Sequence, residues 1–379
     1  MKHTLTHSVF RYLFPAFWLL LSACTPQAPV TQPSAIEANI VTEPAVEPVQ
    51  PLSGGEPISL TVMTHDSFAI SESVLAAFEQ ANNIKVTFLA SGDTGAALNK
   101  AILSKDAPLA DVFYGVDNTF ISRALEAGIF ERYDSPALVN VPAEFRLDAE
   151  NRAIPVDYGD VCINYDKAFF AKNELAVPAT LGDLIRPEYG GMLVVENPAT
   201  SSPGMAFLLA TVAHFGEPGY LDYWRSLRAN GLVVVNDWNT AYYTNFSGSS
   251  GRGPQTMVVS YATSPAAEVI YADVQLEQSP TASIIGPDTC FRQIEFVGIL
   301  AGTRQRAAAE RFVDFMLSLP FQEDLALQMF VLPVDPIAIL PDSFHQFNEY
   351  PTQPATLAPD VIAANRERWI QEWTDAVLR

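Results

Sequence analysis

From about residue 58 the chain alternates strand patterns with amphipathic helix patterns, and this alternation restricts the fold more than any other feature. Strand patterns at 59–64 and 84–89 are separated by a helix pattern over 71–81. A third strand pattern follows at 110–116, with another helix pattern behind it. Strands that alternate with helices predict an α/β fold with a parallel, doubly wound sheet.

The alternation continues in a second group of elements after about residue 160. Strand patterns recur near 192–195, 232–235 and 257–261, and a long strand pattern at 293–299 precedes the last helices. Two α/β groups with late helices predict a two-lobed, venus-flytrap fold with a ligand cleft between the lobes. We predict lobe 1 at 57–160, lobe 2 at 161–292, and a return to lobe 1 with C-terminal helices at 293–379.

The N-terminus has the features of a bacterial export signal. Lys2 and Arg11 precede an apolar run that is too short for a comfortable membrane span. The run ends in Leu-Ser-Ala-Cys24, which resembles a lipobox, so we expect cleavage after residue 23 and lipidation of Cys24. An uncleaved anchor and an ordinary signal peptide are the alternatives. Residues 24–56 are rich in Pro, Gln, Thr, Val and Glu, which predicts a disordered tether. The expected location is therefore extracytoplasmic and lipid-anchored to the cell membrane.

The charge of the chain limits its partners. It carries 43 acidic and 22 basic residues, a formal net charge of -21. Such an acidic chain excludes nucleic acid as a partner. It is compatible with a cationic ligand, although acidity often serves only solubility.

Two cysteines, Cys162 and Cys290, remain beside Cys24. An exported protein matures in an oxidising compartment, where an even number of cysteines favours a disulfide. Two separate buried thiols are the alternative, because the sequence does not give the distance between the cysteines. We predict the bridge.

Two segments place polar side chains where a helix begins. In the segment 257–266 a strand pattern leads to Ser264, an N-cap candidate, and Pro265 suits the first helical position. Ser202 and Pro203 repeat this arrangement. Such helix starts direct backbone N–H groups and hydroxyls at one point, which suits a carboxylate or phosphate.

Polar residues also follow the strands of the first group. His65 and Asp66 follow the first strand pattern, Asp93 and Thr94 follow the second, and Asp117 ends the third. In open α/β sheets ligands bind beyond the carboxyl ends of the strands. We therefore expect these residues near the ligand.

From Ser59 to Arg379 the chain resembles the thiamine-binding proteins that serve bacterial ABC importers. The order and spacing of several short segments carry the resemblance. These segments are 64–68 (THDSF), 115–118 (GVDN), 156–159 (VDYG), 200–204 (TSSPG), 261–265 (YATSP) and 364–373 (ANRERWIQEW). The resemblance implies a two-lobed periplasmic-binding-protein fold, no catalytic residue, no metal and no cofactor. It also implies a monomer that passes its ligand to the permease of an ABC importer.

The family's ligand contacts fall on specific positions here. They are Asp93, Thr94, Ser201, Ser202, Trp238, Tyr261, Ala262, Thr263, Ser264 and Pro265, with secondary candidates His65, Asp66, Asp117, Asp157, Tyr158, Tyr242 and Phe330. The aminopyrimidine of thiamine needs aromatic stacking, and its thiazolium cation needs a ring face or an acid. A phosphate would need hydroxyls and helix N–H groups. His65 and Phe330 replace a tyrosine and a tryptophan of the family, which changes the aromatic enclosure.

Other functions compete with thiamine binding. The adjacent Tyr242 and Tyr243 would suit a ferric ion, because phenolates bind hard cations, and a polyamine is another cationic candidate. An enzyme is the alternative of a different class. Neither Ser201 nor Ser264 lies in a Gly-x-Ser-x-Gly motif, and the sequence shows no metal-spaced His/Cys/Glu cluster. We therefore expect a binding protein that is not an enzyme.

Overall fold

The structure is a computed structural model that describes residues 55–250 and 252–379. The expected signal peptide, Cys24 and almost all of the expected tether lie outside these residues. Within the described part, no helix is both long and apolar enough to cross a membrane.

The strands of the described chain form one sheet. They are β1 (Ile58–Thr64), β2 (Ile84–Ala90), β3 (Val112–Asp117), β4 (Phe130–Glu131), β5 (Ile154–Asp166), β6 (Leu193–Glu196), β7 (Val233–Val235), β8 (Met257–Tyr261), β9 (Thr281–Ile284), β10 (Phe291–Leu300) and β11 (Leu332–Pro333). The main strand order is β2-β1-β3-β10-β5-β8-β6-β7. We refer to β2, β1, β3 and β10 as the first half-sheet, and to β8, β6 and β7 as the second half-sheet. β5 joins the two.

Helices cover the sheet. They are α1 (Glu72–Asn82), α2 (Thr94–Leu103), α3 (Ile121–Ala127), α4 (Lys167–Lys172), α5 (Ser202–Phe215), α6 (Gly219–Ala229), α7 (Ser247–Ser250), α8 (Ser264–Ile270), α9 (Arg306–Met316), α10 (Leu319–Gln328), α11 (Asp342–Phe347) and α12 (Pro359–Val377). A π-helical turn, Thr240–Asn245, lies between β7 and α7. The α/β class and the two-lobed architecture agree with the sequence prediction.

The sheet is mixed, so the prediction of a parallel sheet was wrong in part. β1 pairs in parallel with β2 and β3, and β6 pairs in parallel with β7 and β8. β10 runs antiparallel to both β3 and β5, and β5 runs antiparallel to β8. The reason is topological: the chain crosses between the half-sheets on β5 and returns on β10, so these two strands run in opposite directions.

β5 is longer than the sequence indicated, since it begins at Ile154 rather than near residue 161. Its partner changes along its length. It pairs with β10 as far as Val161 and with β8 from Val161 onward. Beside this change of partner, Cys162 forms a disulfide with Cys290, the residue ahead of β10. The two strands that connect the half-sheets are therefore covalently joined.

The last helix packs against elements of both parts of the chain. Trp373 of α12 meets Trp224 of α6 edge to face, with ring centroids 5.5 Å apart. Arg366 of α12 lies over the Phe120 ring ahead of α3. Trp369 and Trp373, about one helical turn apart on α12, are both buried. The lobe boundaries remain a prediction, and α12 contacts more than the lobe predicted for it.

Candidate functional site

The two predicted helix starts are each displaced by one residue. Ser201 is the N-cap of α5 and Thr263 is the N-cap of α8, so Ser202 and Ser264 are the first helical residues. Ser264 is therefore not the N-cap, and its hydroxyl instead lies 2.9 Å from the Ser260 hydroxyl. Helix ends read from sequence commonly shift by a residue or two.

A cavity of about 940 Å³ is lined by residues from both half-sheets and the helices that follow them. This volume is in the range of small-molecule sites. Nine of the residues that the sequence nominated line it: His65, Asp93, Thr94, Ser202, Trp238, Tyr242, Tyr261, Ser264 and Phe330.

The remaining nominated residues are not among those lining the cavity in the described chain: Asp66, Asp117, Asp157, Tyr158, Ser201, Ala262, Thr263 and Pro265. Asp66 is exposed, and the Tyr158 ring packs under the Arg292 guanidinium, 5.1 Å from it. The Thr263 hydroxyl donates to the Phe330 carbonyl. Thr263 therefore orients a cavity residue without lining the cavity itself.

Aromatic side chains form one wall of the cavity. The Trp238 indole stacks on Tyr242 with centroids 4.9 Å apart, and its Nε1 donates to the Ser260 hydroxyl at 2.9 Å. Tyr261 meets Trp238 edge to face at 6.4 Å. Gly159 makes room for the Tyr261 ring, because a Cβ at this position would lie 2.8 Å from a ring carbon. The wall offers fixed ring faces to a flat or cationic ligand.

Phe330 closes another part of the cavity. Its backbone is left-handed, with φ of 56°, a conformation that is uncommon for a bulky residue. Its ring meets Tyr271 edge to face at 5.1 Å. The hydroxyl of Thr263 helps to hold this backbone conformation through the Phe330 carbonyl. A phenylalanine thus supplies a ring face where the family pattern has a tryptophan.

Asp93 occupies the start of α2 at the cavity wall. Its carboxylate accepts hydrogen bonds from the Thr94 amide at 2.8 Å and from the Trp238 amide at 3.2 Å. Burial raises the pKa of Asp93, and these two hydrogen bonds oppose the rise because they favour the charged form.

The sequence analysis missed several polar residues of the cavity, among them Gln293, Glu295 and Glu268. Gln293 and Glu295 are buried on β10, with exposures of 1% and 4%. They lie on either side of Ile294 in a strand that is apolar from Phe296 to its end. Two polar residues on one face of such a strand were a readable signal of a site. The Glu268 carboxylate accepts a hydrogen bond from the Tyr242 hydroxyl at 2.6 Å.

Three carboxyl side chains lie side by side on adjacent strands below the cavity. In the sheet register, Glu295 on β10 is directly opposite Asp117 on β3 and Asp157 on β5. Burial raises the pKa of Glu295 well above its usual range, and the charge of Asp157 adds to this effect. Burial also raises the pKa values of Asp117 and Asp157 to about 6.

His65 faces this row of acids. Its Nε2 lies 3.6 Å from the Glu295 carboxylate and has no hydrogen-bond partner. Its Nδ1 is 2.9 Å from the Ser67 hydroxyl. Burial lowers the pKa of His65 to about 4, so the ring is neutral near pH 7 and does not balance the acids.

The described lining of the cavity contains no Lys or Arg. The described residues also hold no group of three or more His, Cys, Asp or Glu arranged to bind a metal ion. The cavity therefore combines ring faces with carboxyl groups and no fixed positive charge, which suits an organic cation.

Tyr242 and Tyr243 are placed differently from each other. Tyr242 is buried and its hydroxyl is bonded to Glu268, whereas Tyr243 is 56% exposed. Their rings are nearly perpendicular, at 86°. Burial raises the pKa of Tyr242 well above 10, which disfavours the phenolate that a ferric site needs.

Comparison with known proteins gives a consistent family. Residues 107–361 match the model of a family described as "Bacterial extracellular solute-binding protein". The thiamine-binding periplasmic protein of Escherichia coli (strain K12) is 30% identical over 329 residues, which is 84% of this chain and 94% of that protein.

Comparison with solved structures points to the same fold. A periplasmic thiamin binding protein matches with a TM-score of 0.73 and 28% identity, over 85% of this chain and 97% of that chain. A ferric binding protein from Campylobacter jejuni matches with a TM-score of 0.68 over 84% of this chain and 99% of that chain. Its identity is only 17%, so it shows a shared fold and nothing about the ligand.

Proposed function

Because this chain belongs to the family of bacterial extracellular solute-binding proteins, we propose that it captures thiamine or a thiamine phosphate ester in the cavity between the half-sheets. The observation that carries the proposal is the combination of an aromatic wall with buried carboxyl groups, in a lining whose described residues include no Lys or Arg. The names of its relatives point to the same ligand. No step of catalysis is part of the proposal.

Each part of thiamine has a suitable partner in the cavity. Trp238 and Tyr261 supply ring faces for the aminopyrimidine and the thiazolium. Asp93 and Glu268 supply carboxylates for the amino group or the positive charge. The hydroxyls of Ser202 and Ser264 would bond the hydroxyethyl end or its phosphate.

Calorimetry with the purified protein tests which ligand binds. Thiamine, its monophosphate and its pyrophosphate are titrated in parallel, with spermidine and ferric citrate as the competing ligands. We expect saturable binding of at least one thiamine form and much weaker binding of the other two compounds. Binding of iron or spermidine without any thiamine form would reject the proposal in favour of the competitor. A native mass spectrum of the co-purified ligand provides an independent check.

We also propose that the protein works outside the cytoplasm, anchored by lipid on Cys24, and passes its ligand to an ABC importer. The lipobox-like sequence ahead of Cys24 supports the anchor, because acyl chains supply membrane affinity. Cys24→Ser should leave the protein unprocessed or free in solution. Fractionation that finds the variant processed and membrane-bound as before would reject the anchor.

A further inference from the structure

Three adjacent strands place a row of acids against the cavity. Directly opposite residues of antiparallel strands project from the same face, and like charges in such positions repel. Glu295 has an aspartate opposite it on each side, Asp117 and Asp157. It also lines the cavity while being only 4% exposed.

The groups around Asp157 and Glu295 favour one protonated carboxyl over two charged carboxylates. The Tyr114 hydroxyl donates to Asp157 at 2.5 Å and lies 3.4 Å from a Glu295 oxygen. Asp157 lies directly opposite Glu295, and its negative charge raises the pKa of Glu295 further. Three buried polar atoms around this row of acids have no hydrogen-bond partner among the described residues: Nε2 of His65, Oδ2 of Asp117 and Oδ1 of Asp157. The unpartnered His65 nitrogen belongs to a residue of the cavity lining, which indicates a place for a ligand.

We propose that Glu295 is the counter-charge for the cationic part of the ligand and that the Asp157–Glu295 pair loses one proton when the cation enters. This inference rests on the proposed function and specifies how the same cavity recognises charge. The carboxyl O–H bond breaks, its electron pair remains on the carboxylate, and the proton passes to water. No other bond changes.

The release of a proton, rather than its uptake, follows from the groups around Glu295. Facing it are the acids Asp157, Asp117 and Asp93, the hydroxyls of Tyr114 and Tyr261, and His65. Burial raises the pKa of Glu295 well above its usual range and that of Asp157 to about 6, while His65 is neutral. A cation within a few ångströms favours the charged carboxylate and lowers these pKa values.

The sign of the pH dependence is therefore fixed. The empty cavity holds one more proton than the occupied cavity, so affinity rises with pH through the pKa of the empty pair and then levels off. One released proton limits the slope to about tenfold in Kd per pH unit.

Titration calorimetry of the purified protein with thiamine measures the released proton directly. The titration is repeated near neutral pH in two buffers with different ionisation enthalpies. The wild-type protein should release up to one proton, and Glu295→Gln should release none and show a flat pH profile. Glu144→Gln is the matched control, because Glu144 is exposed and lies outside the cavity lining.

The outcomes separate the two proposals. If no thiamine form binds the wild type, the proposed function is rejected. If thiamine binds without proton release, or if Glu295→Gln releases the same proton, only the present inference is rejected. Asp157→Asn provides a second variant should Glu295→Gln fold poorly. It removes the acid that raises the pKa of Glu295, so it should reduce proton release while thiamine still binds, and unchanged release would reject the inference.

Discussion

The carboxylate of Asp93 accepts a hydrogen bond from the backbone amide of Trp238, 3.2 Å away. Asp93 is the N-cap of α2, which follows β2 of the first half-sheet, and Trp238 follows β7 of the second half-sheet. The other carboxylate oxygen of Asp93 accepts a hydrogen bond from the Thr94 amide. One side chain thus caps a helix, lines the cavity and connects the two sides of the cleft.

Asp93→Asn should weaken thiamine binding by about tenfold. A hydrogen bond to a charged group contributes about 1 kcal/mol more than a neutral one, and the amide also removes a charge facing the cation. Calorimetry measures the change, with Asp106→Asn as the control because Asp106 is exposed and outside the cavity lining. Equal affinities of Asp93→Asn and wild type would contradict a role for this charge.

Trp238→Ala should weaken thiamine binding at least several-fold, because a lost aromatic contact removes on the order of 1 kcal/mol. Trp238→Phe keeps a ring but loses the hydrogen bond to Ser260. Its affinity should fall between those of wild type and Trp238→Ala. Wild-type affinity in Trp238→Ala would exclude the indole as a ligand contact.

Gly95→Ala should hinder closure of the cleft without removing a side chain from the cavity. The Gly95 amide donates to the Thr200 carbonyl at 2.9 Å, and an added Cβ would lie only 2.6 Å from the Ala199 carbonyl oxygen. We expect weaker thiamine binding and a larger radius of gyration with saturating ligand, measured by X-ray scattering. Gly219→Ala is the control, since its Cβ meets its nearest neighbour at an ordinary 3.5 Å.

Free thiamine should bind more tightly than its monophosphate, and the pyrophosphate should bind most weakly. Ser201 and Ser202 lie beside the chain's own carboxyls, Asp93 and Asp117, so the start of α5 already has anionic neighbours. The described lining adds no Lys or Arg. On this expectation Ser202→Ala, which removes a hydroxyl of the cavity lining, weakens thiamine and its esters alike. A selective loss of ester binding would instead place the phosphate at Ser202.

Most elements could be predicted because their signals are local. Strand and helix periodicities predicted β1, α1, β2 and β3 to within a few residues. α6 was missed although Tyr220, Tyr223, Trp224 and Leu227 have helical spacing and are all buried. The direction of β10 was not readable, because it depends on where the chain returns to the sheet.

The site was only partly predictable for a similar reason. Local patterns and the family resemblance nominated Trp238, Tyr261 and Asp93, which line the cavity. Thr263 and Asp157 were predicted too, but neither is in the described lining: the Thr263 hydroxyl bonds the Phe330 carbonyl, and the Asp157 carboxylate accepts from the Tyr114 hydroxyl. Glu295 gains its environment from the strands on either side of β10, which no local pattern contains.

The bond between Cys162 and Cys290 spans 128 residues and makes a closed covalent ring of the chain between them. That ring carries β6 to β9 and several cavity aromatics, among them Trp238 and Tyr261. Closing a ring of this size restricts the unfolded chain by roughly 4–5 kcal/mol in the entropic model. A protease that cuts once inside the ring therefore produces a nicked protein whose two fragments stay linked, with both halves of the cavity still held on one molecule.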